Sequence, residues 1–153
     1  MTIACVLITH LPLKFEELRR QADLRGKVVI VYQQVGLQKV VVDRSWKAHE
    51  IGIGIPVKDA LSRCPHATLI EMDELSCGKV WEGMLDSLEQ RSPVVEDAGL
   101  GIAYVDLNGL EKLYGDEPRL VKTLLNALPG GYRPRVGVAE GKFPAFAAAL
   151  HAE

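Results

Sequence analysis

Two short strands joined by a glycine-containing turn constrain the fold of this 153-residue chain most. Apolar and β-branched side chains predict these strands at residues 94–97 and 101–107. An amphipathic helical stripe precedes the pair at residues 80–88, and a second stripe follows at residues 120–128. Because a further apolar strand is predicted near each end of the chain, the elements follow the order of a ferredoxin-like fold.

The terminal strands are predicted at residues 2–8 and 135–139, which makes the fold class α/β (α+β). Residues 10–75 form an insert that we expect to be a small separate lobe, with a β-hairpin around Gly36. Pro144 is predicted to open a helix that runs to the last residue without a stop signal. That ending suggests the N-terminal fragment of a longer protein.

Composition narrows the class of protein further. The hydrophobic fraction of 48% and the charged fraction of 25% are ordinary for a soluble globular protein. The net charge of −2 shows no basic excess, so we expect this region to bind nucleic acid weakly at most. Three cysteines without a C-x-x-C pair fit a reducing cytoplasm better than a disulfide framework or a zinc site. The sequence shows no signal peptide, and it has no apolar run of the roughly 20 residues that a membrane-spanning helix needs.

Five segments stand out, in order along the chain. They are SWKAHEIGI at 45–53, GIPVKDA at 54–60, CP at 64–65, SPVVEDAGLGIAYVDLNG at 92–109, and RVGVA at 135–139 with Lys142 and Ala145. Together they resemble segments of a known family, the Y-family (UmuC/DinB-like) translesion DNA polymerases. The segment at 92–109 resembles that family's catalytic strand pair, and the others resemble its fingers and the end of its palm.

This resemblance implies a polymerase palm, at residues 1–9 and 76–153, with an inserted fingers lobe at residues 10–75. Active members hold Mg²⁺ with three acids, and two metal ions about 4 Å apart need such carboxylates. The ungapped comparison places two of these acids on Gly101 and Ile102, and the third at Leu7 or Ile8. Since none of these side chains binds a hard cation, we expect no catalytic residues and no metal site of the family's kind.

The phosphate contacts of active members also differ here. The fingers tyrosine and arginine fall on Trp46 and His49, and histidine lacks the permanent bidentate fork of arginine. A palm lysine falls on Phe146, whereas Lys142 keeps its position. Trp46, His49 and Lys142 are therefore the nucleotide-binding candidates. Trp46 could stack on a base or pack under the fingers, and Lys142 could equally be a solvated lysine.

Other acids offer an alternative. Glu96, Asp97 and Asp106 lie on the strand pair, and we expect structural or solvated roles for them. His10 follows the first strand and is expected to be a hydrogen-bonded structural residue. Trp81 lies in a helical stripe and is expected in the core.

Within the family, the chain resembles the catalytically inactive ImuB-like branch in residues 11–27 and 105–115 and in its missing acids. That resemblance implies a non-catalytic adaptor in DNA repair, specifically in damage-induced (SOS) translesion synthesis. Its implied partners are DNA, a catalytic DNA polymerase and the replication clamp, the last two through regions beyond Glu153. An active but divergent nucleotidyltransferase using displaced acids, and a purely structural domain, remain the alternatives.

Overall fold

The computed structural model describes residues 1–152, except for the side chain of Ala22, and divides into two compact units. The first unit combines residues 1–9 with the chain from Gly78 onward, and the second unit is His10–Cys77. The border therefore falls inside a helix. No helix among the described residues is long and apolar enough to cross a membrane.

Strands and helices alternate along the chain. The strands are β1 (Thr2–Leu7), β2 (Val29–Val35), β3 (Gln38–Arg44), β4 (Thr68–Glu71), β5 (Val95–Asp97), β6 (Ile102–Asp106) and β7 (Arg135–Glu140). The helices are α1 (Leu11–Arg20), α2 (Val57–Arg63), α3 (Glu74–Glu89), α4 (Glu111–Tyr114), α5 (Glu117–Asn126) and α6 (Lys142–Leu150). Short 3₁₀ turns occupy Gln21–Leu24, Trp46–Ala48 and Gly130–Tyr132.

The first unit contains a four-stranded sheet in the order β5-β6-β1-β7, with every neighbouring pair antiparallel. Helix α3 precedes the β5–β6 hairpin, and α5 leads into β7. This order and direction are those of a ferredoxin-like sheet. The predicted fold class is confirmed.

One face of this sheet packs against α6. Alternate residues of β1 form the cluster because side chains alternate across a strand, and Ala145 and Ala149 are their partners on the helix. The close approach depends on Gly137 of β7. A Cβ atom there would lie 2.1 Å from the Ala149 backbone nitrogen and 2.4 Å from the Ala145 carbonyl oxygen.

The second unit is built on a smaller sheet in the order β3-β2-β4, with β2 and β4 parallel. One apolar cluster joins β2 and β3 to α2 through Ile30, Val41 and Val57. A second cluster joins the sheet to α1 through Val31 and Leu13. The hairpin predicted around Gly36 is present, with Gly36 at φ 61° in its turn.

The strand ends differ from the sequence prediction by one residue, and both ends of helix α6 differ by two or three residues. Helix α6 begins at Lys142 rather than at Pro144, because a proline within the first turn lacks only an N–H that would have no partner in the helix. The helix ends at Leu150 rather than at the last residue. Its last turn tightens as the His151 amide donates to the Ala148 carbonyl oxygen at 3.3 Å, and the Arg135 guanidinium donates to the Leu150 carbonyl oxygen at 3.0 Å.

All three cysteines are free thiols. Cys5 lies in the sheet core of the first unit and Cys77 is buried in the second unit. Burial raises the pKa of the Cys5 thiol to about 11, and burial is also the main cause that raises the pKa of Cys77 to about 11. Both thiols are therefore protonated, and unreactive as nucleophiles, near neutral pH.

Candidate functional site

The positions predicted for the family's catalytic acids lie side by side at one end of β1 and β6. Leu7 pairs with Ile102 across the ladder between the two strands. One residue further on, the Ile8 amide donates to the Gly101 carbonyl oxygen at 2.8 Å. Ile8 is 3% exposed, and Ile102 packs against the cluster beneath α6. The fold brings these positions together and fills them with apolar side chains and one glycine.

Gly101 adopts a backbone conformation that is unfavourable for an aspartate. It is buried, with φ 88°, in the turn between β5 and β6. The Ile102 amide closes that turn by donating to the Gly99 carbonyl oxygen at 3.0 Å. L-residues are disfavoured at such a φ because Cβ crowds the following carbonyl oxygen. The backbone of the turn is therefore suited to glycine.

Glu96, one of the possible displaced acids, forms an ion pair with Lys142 at the start of α6. The Lys142 ammonium also lies 5.8 Å from the centroid of the Tyr104 ring. Partial burial is the main cause that raises the pKa of the Tyr104 phenol above its ordinary value. Both members of this ion pair are exposed, so it contributes little stability, but each charge already has a partner.

Asp97 accepts two hydrogen bonds on one carboxylate oxygen. The donors are Trp81 Nε1 and the Gly99 amide, each at 3.0 Å. Trp81 is 4% exposed, so its predicted place in the core is confirmed, and Asp97 satisfies its buried polar edge. The carboxylate thus closes the turn and anchors the α3 helix, which is a structural role.

Asp106 lies at the opposite end of β6. It pairs with Ile3, and its carboxylate accepts from the Asn108 amide at 2.9 Å. Four residue steps of about 3.4 Å each separate it from Ile102, a span of roughly 14 Å. A shared metal ion would require carboxylates within a few ångströms of one another. Asp106 therefore cannot replace the missing acids without rearrangement of the sheet.

The donor set of the first unit does not fit the Mg²⁺ pair of active family members. Across residues 1–152, no three histidine, cysteine, aspartate or glutamate side chains converge to hold a metal ion. Mg²⁺ prefers carboxylate and phosphate oxygens in octahedral geometry. The loss of the catalytic metal site at Ile8, Gly101 and Ile102 remains a prediction from the sequence. Among the described residues, no other set of side chains forms a metal site in its place.

Trp46 and His49 come together in the second unit. Trp46 begins the 3₁₀ turn that ends at Ala48. The two rings stack with centroids 4.8 Å apart and planes inclined by 20°. His49 Nδ1 also lies 2.9 Å from the Trp46 carbonyl oxygen. The Trp46 indole is 83% exposed despite this stack, so it does not pack beneath the lobe.

His10 and Asp43 form a pair that the sequence did not reveal. His10 Nδ1 lies 2.6 Å from one oxygen of the buried Asp43 carboxylate. The other oxygen accepts from the Leu13 amide at 3.0 Å, in the first turn of α1. The favourable alignment of a carboxylate with a helix N-terminus gives Asp43 a structural role. The predicted structural role of His10 agrees with this contact, which joins positions 33 residues apart.

The family model described as "IMS: impB/mucB/samB family" matches residues 12–149, which is most of the chain. DNA polymerase IV of Dehalococcoides mccartyi strain CBDB1 is 29% identical over 127 residues. That match covers 80% of this chain but 33% of the relative. DNA polymerase IV of Brucella melitensis is 30% identical over 107 residues, covering 69% of this chain and 24% of the relative. The chain thus spans about a third or less of these relatives.

Solved structures agree with this family. The crystal structure of DinB from Sulfolobus solfataricus matches the whole chain with a TM-score of 0.83 at 20% identity, and 46% of that protein is covered. An insertion ternary complex of Dbh DNA polymerase matches equally, with a TM-score of 0.83 at 19% identity. At such identities the likeness shows the fold alone. The fold and the family model together make the chain a Y-family polymerase-like domain, a member of the impB/mucB/samB family.

Proposed function

We propose that this chain is the palm and fingers region of a non-catalytic Y-family homologue that acts as an adaptor in translesion DNA synthesis. The palm would comprise residues 1–9 and 76–153, and the fingers lobe residues 10–75. The observation that carries the proposal is the adjoining placement of Ile8, Gly101 and Ile102, where active members carry acids. None of these side chains can hold a divalent cation.

Three further observations support this reading. Glu96, Asp97 and Asp106 each have a structural partner, and they are distributed over both ends of the β5–β6 hairpin. The Gly101 backbone is suited to glycine. Lys142 is exposed, but its ammonium is already paired with Glu96. In this arrangement the three acids make structural contacts rather than share a metal ion.

DNA is the proposed ligand of this region. The relatives are named as DNA polymerases, and one structural neighbour is named as a ternary complex of a DNA polymerase. A catalytic polymerase and the replication clamp are the proposed protein partners, engaged through regions beyond Glu153. Among the branches of the family, the missing acids favour the ImuB-like one, with a role in damage-induced mutagenesis. Because the relatives are named as DNA polymerases, we also propose a cytoplasmic location.

A divergent but active nucleotidyltransferase is the second candidate function. It is favoured by the presence of Glu96 and Asp97 on the strand that adjoins the family's catalytic position. For this function, both carboxylates would have to leave their present partners and meet at a metal ion. A purely structural domain is the third possibility, and it would bind neither DNA nor nucleotide.

Thermal unfolding with and without nucleotide and metal tests these functions. We expect the melting temperature to change by less than about 1 °C when Mn²⁺ is added to the chain with a deoxynucleoside triphosphate. A site filled at about 100 times its dissociation constant would add roughly 2.7 kcal/mol of stability. For a domain of this size, that corresponds to a rise of about 5–10 °C.

A metal-dependent rise of several degrees that disappears in Asp97→Asn or Asp106→Asn would contradict the adaptor proposal. It would favour the divergent enzyme, as would template-dependent incorporation that Asp106→Ala abolishes. Addition of Ca²⁺ in place of Mn²⁺ serves as a control for general effects of divalent ions on the unfolded chain.

A further inference from the structure

A cleft of about 690 Å³ lies in the second unit between the α1 end and the turn at Trp46–Ala48. We call it the basic cleft, defined by Arg25, Lys27, Trp46 and Lys47 together with Glu17. The basic cleft combines three cationic side chains with the exposed ring of Trp46. Neither Arg25 nor Lys27 is among the nucleotide-binding residues predicted from the sequence.

The cations of the basic cleft form no ion pairs among the residues that the structure describes. Arg25 and Lys27 are both exposed. Lys47 Nζ donates to the Gly26 carbonyl oxygen at 3.0 Å, which keeps its charge and fixes its position. Glu17 is the one acid among the lining residues. The cleft is therefore positive on a chain whose net charge is −2.

The aromatic component is preorganised. His49 stacks on the Trp46 indole and leaves it 83% exposed. An exposed indole held in a fixed orientation loses little conformational entropy when a second ring stacks on it. Nucleobases stack on such side chains without sequence preference, since every base has a π-face. The ammonium groups of Lys27 and Lys47 and the guanidinium group of Arg25 belong to residues that line the same cleft as the indole, and such groups bind phosphates.

We propose that the basic cleft binds single-stranded DNA, with an unpaired base on Trp46 and the phosphate backbone along Arg25, Lys27 and Lys47. This proposal rests on the proposed function, because it takes DNA as the ligand of the chain. An acidic peptide would satisfy the cations but leave the indole unused. A membrane surface would use both, but it needs a wider apolar area than one indole. Single-stranded DNA accounts for the ring and the charges together.

Binding of fluorescein-labelled oligo-dT to the 153-residue chain tests this proposal through fluorescence anisotropy over a range of salt concentrations. We expect Trp46→Ala to weaken binding by at least about fivefold, the lower limit for the loss of one base–aromatic stack. Trp46→Phe retains an aromatic face, so we expect it to recover most of the affinity. Arg25→Ala/Lys27→Ala should lower the slope of log affinity against log salt by up to about 1.4.

Lys112→Ala/Lys122→Ala is the matched control, because it removes the same charge from exposed positions in the first unit. We expect it to leave affinity and salt slope unchanged. Circular dichroism of each variant verifies the fold. Trp46 also provides a direct signal: its emission should be quenched by oligo-dT, whereas the buried Trp81 should not respond.

Unchanged binding in both cleft variants would overturn the proposal, and so would equal losses in the control or no binding of oligo-dT by the unaltered chain. If the variants instead lose binding to phosphatidylserine vesicles while oligo-dT does not bind, the cleft is a membrane site. If DNA binding persists without the cleft, the cleft proposal fails but the adaptor function stands. Nucleotide incorporation by the chain would contradict the adaptor function, but it would leave the cleft proposal standing.

Discussion

Gly137→Ala is expected to destabilise the chain by about 3 kcal/mol or more, enough to unfold a domain of ordinary stability at elevated temperature. The added Cβ atom would lie 2.1 Å from the Ala149 nitrogen, 2.4 Å from the Ala145 oxygen and 2.6 Å from the Ala148 carbonyl carbon. Because all three are backbone atoms, no rotamer change relieves the overlap. Helix α6 would have to move away from β7 and open the core cluster beneath it.

The control is Gly83→Ala, measured by urea unfolding beside Gly137→Ala. Gly83 lies within α3, and a Cβ atom there meets nothing within 4 Å. Alanine in a helix interior should therefore stabilise the chain by about 0.5–1 kcal/mol. A loss of less than about 1 kcal/mol in Gly137→Ala would mean that α6 does not pack as closely as described, since overpacking of a tight core costs more than this.

Gly101→Asp, which restores one family acid, is expected to destabilise the chain by about 2–4 kcal/mol without creating a metal site. Two costs add together. An L-residue at φ 88° is strained, and the carboxylate would be buried beside Ile8 without a cation to neutralise it. Urea unfolding with and without Mg²⁺ measures both the loss and any recovery.

Gly101→Ala separates the two costs, because it introduces the backbone strain without the charge. We expect it to account for about 1–2 kcal/mol of the loss. The interpretation would be wrong if Gly101→Asp were as stable as the unaltered chain. It would also be wrong if Mg²⁺ raised the stability of that variant, since the turn would then accommodate a metal-binding acid.

The order of the strands and helices could be predicted because it depends on local patterns. A short continuous apolar run marks β1, and the amphipathic stripes mark α3 and α5. The ends of α6 differ most from the prediction, because neither Pro144 nor the absence of a stop signal sets where this helix begins and ends. Helix ends depend on contacts from elsewhere in the chain, such as the Arg135 side chain on the Leu150 carbonyl oxygen.

The site was predictable in part for a different reason. The positions Ile8, Gly101 and Ile102 came from resemblance, and the fold places them together. The pairing of His10 with Asp43 could not be predicted from the sequence, since that contact is long-range. The basic cleft depends on the turn that follows α1, whose path sets the positions of Arg25 and Lys27. No local pattern specifies such a path.

The most direct test of the central claim, that the palm-like unit lacks a catalytic metal site, is a crystal structure of the chain grown with Mn²⁺ and a non-hydrolysable deoxynucleoside triphosphate. Data collected at the manganese edge locate any bound ion independently of the refined coordinates. We expect no anomalous peak beside Ile8, Gly101 and Ile102, with Glu96 still paired to Lys142. A manganese peak at about 2.2 Å from an oxygen of Glu96 or Asp97 would contradict the account.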